Sequence, residues 1–74
     1  MTITTIDGLA LRGRTPEEII EELRATSRNP GRTTGHFMDE MASRTLLLTG
    51  HRVRTRTPED FVADLVAAGM LLDE

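Results

Sequence analysis

His36, Asp39 and Glu40 are the residues whose types and spacing come nearest to metal chemistry. On a helix, positions i, i+3 and i+4 share a face, so an imidazole and a carboxylate can reach one ion. A closed site needs about four ligands, and His51 is the one other imidazole in the chain. The competing reading of this trio is a solvated helix start whose acids complement the dipole. No metal and no cofactor is therefore expected, with His36, Asp39 and Glu40 the residues to watch.

Glu17/Glu21 and Glu18/Glu22 are carboxylates at i, i+4. Such pairs perform acid–base work when one member is desolvated. A run of this kind on a helix flank is expected to face water, and no cofactor motif accompanies it. There is no cysteine, no Gly-x-Ser-x-Gly elbow, and no histidine beside Ser27 or Ser43. Gly31 and Gly35 bracket Arg32-Thr33-Thr34 ahead of a helical pattern, which reads as an anion-binding helix start or as a plain turn and cap. The chain is expected not to be an enzyme.

Arginine dominates the remaining polar chemistry. All nine basic residues are Arg, and five of them alternate in two short stretches, Arg12/Arg14 and Arg52/Arg54/Arg56. A GC-rich coding sequence favours Arg over Lys. Arg also suits bidentate contact with carboxylate or phosphate. If the two stretches are neighbouring strands, five guanidinium groups gather on one face as a partner-binding surface. The alternative spends them in surface pairs with Glu17, Glu18, Glu59 and Asp60, which contribute little.

Positioning these residues is the work of a few elements. Residues 2–6 alternate Thr and Ile and predict a strand. Asp7-Gly8 predicts a two-residue turn that sets Ile6 opposite Leu9. Leu9 to Gly13 return as the second strand, with Leu9 and Leu11 on one face and Arg12 and Arg14 on the other. Thr15-Pro16-Glu17-Glu18 opens a helix, with Thr15 as cap, Pro16 at its first position and Glu18 closing a capping box. Ile19, Ile20 and Leu23 form its apolar stripe. Arg24 and Arg28 suit its C-terminal dipole, and Asn29-Pro30-Gly31 ends it.

Thr33 or Thr34 caps a second helix over 35–49, with Phe37, Met38, Met41, Ala42, Thr45 and Leu48 at helical spacing and Gly50 at its end. A rival pattern breaks it near Arg44 and makes Thr45–Thr49 a strand. His51-Arg52-Val53-Arg54-Thr55 reads as a third strand with Val53 and Thr55 inward. Thr57-Pro58-Glu59-Asp60 opens a last helix with Phe61, Val62, Leu65, Val66 and Ala68 inward. Gly69 ends it, and Met70-Leu71-Leu72 fold back as the apolar contact of a glycine cap. The expected class is α+β: a hairpin, two helices, a short third strand and a C-terminal helix, with helices on one face of a small sheet.

Residues 11–23 and 53–65 align as two strand–cap–helix units, both containing Arg-x-Arg-Thr-Pro followed by two acids. Convergence on good helix-start chemistry also produces such a match. The expected arrangement is a single domain over 1–74 with the two units packed about a pseudo-two-fold. Thr5-Ile6-Asp7-Gly8, Pro16-Glu17-Glu18-Ile19 and the segment from Glu59-Asp60-Phe61 to Ala68-Gly69 resemble a set of short uncharacterised bacterial proteins. These share a hairpin start, a Pro-Glu-Glu-Ile helix and a closing acidic-Phe helix. The resemblance covers nearly the whole chain and implies no activity.

Seventy-four residues make one domain with a small core. Without cysteine there is no disulfide, and small folds then rely on good helix packing or a second subunit. The first eight residues lack a basic and an apolar region, and the longest apolar run is Leu46-Leu47-Leu48, so a cytoplasmic protein with no membrane partner is expected. A net charge of -3 argues against generic DNA affinity, and without Tyr or Trp bases have little to stack on. The expected function is a non-catalytic protein-binding module, whose partners include a second copy of itself as a homodimer. By analogy with other small acidic chains, its sharper form is an anti-CRISPR-type accessory inhibitor from a phage or mobile element. The alternatives are a nucleic-acid accessory protein using the Arg face, and a metal or small-ligand site at His36, Asp39 and Glu40.

Overall fold

The computed structural model describes residues 2–27 and 30–73. Thr2–Thr5 form β1 and Ala10–Arg12 form β2, an antiparallel hairpin. Its turn is one residue longer than the sequence suggests. The Gly8 N–H donates to the Thr5 carbonyl at 2.9 Å, and the Thr5 N–H donates to the Leu9 carbonyl at 2.9 Å. Thr5, not Ile6, therefore faces Leu9. Gly8 closes the loop at φ 92°, a conformation that glycine adopts without penalty. The reason is burial. A two-residue turn would set Ile3 opposite Arg12, whereas the observed register sets Ile3 opposite Leu11, and both are buried. The apolar pattern decides register where one face is covered.

α1 spans Pro16–Thr26 and begins as its sequence predicts. Thr15 Oγ1 accepts from the Glu18 N–H at 3.3 Å. Glu18 reaches back one residue further than a capping box requires, accepting from the Arg14 N–H at 3.0 Å. Arg24 stands in the last turn of α1, as expected, and its side chain also reaches past the helix end. Its Nε donates to the Pro30 carbonyl at 2.8 Å and its Nη2 to the Gly31 carbonyl at 3.3 Å. It thereby holds the loop into the next helix. The expectations for Arg28 and Asn29 lie outside the described residues.

α2 runs unbroken over Thr34–Thr49. Thr33 is its cap, accepting from the His36 N–H at 3.0 Å. Gly50 ends it, donating to the Leu46 carbonyl at 2.8 Å. Thr45–Thr49 is thus helix, and the strand alternative falls.

The segment 51–55 is not a strand, which corrects the expected element order. Val53 is buried as predicted, but the Arg54 N–H donates to the Asp64 carboxylate at 2.8 Å rather than to a neighbouring strand. α3 spans Pro58–Ala67, with Thr57 Oγ1 accepting from the Asp60 N–H at 3.1 Å. After it the Gly69 N–H donates to the Val66 carbonyl at 3.0 Å and the Met70 N–H to the Leu65 carbonyl at 2.9 Å. This bond pair is a Schellman turn, with Gly69 at φ 81°. The turn aims the last residues back along the sheet, and Leu71–Asp73 become β3.

The sheet order is β2-β1-β3, antiparallel throughout, with Thr5 opposite Leu71 and Ile3 opposite Asp73. The α+β class holds, but the third strand is the chain's last element. α1 packs on β2 and on α3, and α3 packs on β3. The core is Ile3, Leu11 and Leu71 from the sheet, Ile19 and Ile20 from α1, Phe37 and Met38 from α2, Val53, and Phe61, Val62 and Leu65 from α3. α2 has its one broad contact with α1. Among the described residues no helix is long and apolar enough to cross a membrane.

Candidate functional site

The five arginines do not share a sheet, because 51–55 never joins one. Arg12 is the last residue of β2, the strand at one edge, where it pairs with Thr2 and lies exposed. Arg14 is exposed in the link to α1. Arg52 is exposed beside Ala42, Ser43 and Leu46 of α2. Arg54 is committed inside the chain. Its Nε donates to Asp64 Oδ2 at 2.8 Å and its Nη2 to Asp64 Oδ1 at 3.0 Å. Its Nη1 also stands 3.5 Å from Asp60. Arg56 lies 4.0 Å from the same Asp60.

The Arg54–Asp64 fork has three donors on one carboxylate, two from the guanidinium and one from the Arg54 backbone. Hydrogen bonds to the ionised form favour it. The Arg54 side chain first, and its N–H second, hold the Asp64 carboxyl down to about 2. The same bond, with the charges of Asp60 and Asp64, pushes the Arg54 guanidinium up. In the aligned first unit Arg12 and Glu22 occupy these two positions, and no ion pair joins them.

His36 Nε2 lies 3.3 Å from Glu40 Oε1, and its Nδ1 accepts from the Arg32 N–H at 3.4 Å. Both ring nitrogens therefore have partners within the helix start. Asp39 does not join them, and no group of three or more His, Asp or Glu among the described residues is placed to hold a metal. Glu17, Glu18, Glu21 and Glu22 are exposed and face water. Thr34 Oγ1 donates to Glu21, and Arg24 Nη1 donates to the same hydroxyl at 3.4 Å. The Gly31–Gly35 stretch is thus occupied by contacts from α1.

A groove of about 390 Å³ opens between the hairpin turn and α2. Leu9, Leu23, Phe37, Met41, Leu48 and Met70 make its apolar lining. Asp7 from the turn and Arg44 from α2 are the two charged groups on it, and neither has an ion-pair partner among the described residues. Thr45 lines it as well, fully buried, with its hydroxyl lacking a hydrogen-bond partner. Its own carbonyl accepts from Thr49 Oγ1 at 2.8 Å. Beside the groove the last turn of α2 carries Leu46, Leu47 and Leu48, which are 43%, 86% and 76% exposed.

The sequence does contain a pointer to this surface. Three consecutive leucines on a helix cannot all face one core, because successive side chains lie about 100° apart. Asp64 is legible only through the repeat, as the partner position of Glu22.

Together these elements define a small α+β domain, among the described residues a three-stranded antiparallel sheet and three helices, with an apolar groove between the hairpin turn and α2. No protein-family model matches the chain, and no curated protein or solved structure gives a significant match.

Proposed function

We propose that this chain is a non-catalytic protein-binding module that uses the groove and the leucines beside it. The observation that carries the reading is an apolar groove whose lining includes the exposed Leu48, with the exposed Leu47 next to it in the helix. Contiguous exposed apolar surface with a polar border is the usual mark of an interaction site. Among the described residues the last turn of α2 leaves Leu47 and Leu48 largely uncovered. Occupying a partner's surface in one-to-one ratio, as an accessory inhibitor does, needs no more than such a patch.

A second reading, nucleic-acid binding, is favoured by Arg12, Arg14 and Arg52, whose exposed side chains make no ion pair with a described residue. One experiment separates the two. Tagged protein is drawn from host lysate with and without nuclease, as wild type, Leu47→Glu and Arg52→Glu. A stoichiometric protein retained after nuclease and released by Leu47→Glu is the expected result. Nucleic acid retained without nuclease, released by Arg52→Glu and lost steeply with salt, would replace the first reading with the second. Arg54 is unsuitable for this test, since reversing its charge breaks the Asp64 fork.

A further inference from the structure

The charges on the groove narrow down its occupant. Asp7 and Arg44 lie on the same apolar groove, one from the hairpin turn and one from α2, and both are unpaired within the described chain. Leu48 lines the groove from α2, and exposed Leu9 lines it from the hairpin. Ile6, also exposed, precedes Asp7 in the turn. A groove that carries both an acid and a base offers a second copy of itself an opposite charge for each.

We infer that the groove is covered by a second copy of this chain in a two-fold dimer, an inference that rests on the protein-binding reading above. In a two-fold interface the contact of residue i with residue j is made twice, once in each direction. Asp7 of one protomer then meets Arg44 of its partner, and Arg44 meets the partner's Asp7. The Leu48 side chains close the apolar middle. Like-signed rims would repel a second copy; an acid and a base do not. The chain also has the need. It has 74 residues and no cysteine, and domains of this size commonly rely on a second subunit. A standard interface covers roughly 800 Å² on each partner, about a sixth of the 4820 Å² this chain exposes.

Sedimentation equilibrium of the full chain between about 1 μM and 1 mM tests the inference directly. A monomer–dimer equilibrium is expected. Leu48→Glu should weaken it about 30-fold or more, the loss typical of a central anchor. Asp7→Arg and Arg44→Asp should each weaken it about tenfold, because each sets like charges opposite one another. The double variant Asp7→Arg/Arg44→Asp should recover wild-type association. Circular dichroism on each variant confirms folding, and these side chains are on the surface groove rather than in the core.

A monomer across the whole range would overturn the inference. So would a dimer indifferent to Leu48→Glu, or a double variant no better than the single ones. Failure of the parent reading looks different. If the chain is monomeric and Leu48→Glu releases a stoichiometric foreign protein from lysate, self-association falls and protein binding stands. If it is monomeric and no such protein is captured, both fall.

Discussion

Arg54 and Asp64 show how differently one residue type can be used within a few positions. Arg52, Arg54 and Arg56 are all exposed, but Arg54 is tied to α3 by three hydrogen bonds to one carboxylate. The fork does for the Arg54 N–H what a strand partner would otherwise do. It also makes stability depend on acid. Asp64 ordinarily titrates near 3.8 and in the fold near about 2. A carboxyl whose folded value is depressed contributes stability above its unfolded value and loses it as pH falls through its folded one. The wild-type melting temperature should therefore drop between roughly pH 4 and pH 2 more steeply than that of Asp64→Asn, whose melting temperature is already lower near neutrality. Thermal melts across this range check it, and equal slopes in the two proteins would refute the role given to the fork.

The elements of this fold differ in how plainly the sequence announces them. Each helix opens on a threonine cap that is visible in advance, because the cap is local chemistry. Thr15, Thr33 and Thr57 all accept from the N–H three residues on. The hairpin was legible as an element but not in its loop length, since Asp-Gly serves two-residue and longer turns alike, and the choice rests on pairing Ile3 with Leu11. The groove was not legible, because its lining comes from the hairpin, two helices and Met70, which meet only in the fold. Gly13 marks a tight approach elsewhere, where the chain passes from β2 to α1. A Cβ there would stand 2.7 Å from Glu18 Cβ, whereas a Cβ at Gly35 would meet nothing nearer than 3.9 Å. The same substitution should then have opposite signs at the two sites. Gly13→Ala should destabilise by about 1–3 kcal/mol through overpacking at the β2–α1 junction. Gly35→Ala, in the first turn of α2, should stabilise by about 0.5–1 kcal/mol. Urea unfolding of both variants decides it, and a neutral Gly13→Ala would show that β2 and α1 are not so closely joined.

At the scale of the whole molecule, the first strand lies between the second and the last. β1 meets β2 across a short turn, but all three helices lie in the chain between it and its other partner, β3. The sequence misassigns this strand for a physical reason. Arg52 to Thr55 alternates like a strand, while Met70-Leu71-Leu72 is too short and too apolar to show a period. What makes the latter a strand is long-range: the Schellman turn at Gly69 points it at the open edge of β1. Strand geometry also separates two adjacent leucines. Leu71 is 1% exposed on the inner face opposite Thr5, and Leu72 is 54% exposed on the outer face opposite Thr4. Leu71→Ala should cost about 2–5 kcal/mol, as a buried leucine does, whereas Leu72→Ala should change stability by about 0.5 kcal/mol or less. Such a loss at Leu71 is a large part of the roughly 5–15 kcal/mol that holds a domain folded. An apolar tail lying loosely on the core would make the two substitutions cost alike. Equal losses in chemical unfolding would therefore remove β3 from the sheet, and with it the closure of the fold by its last element.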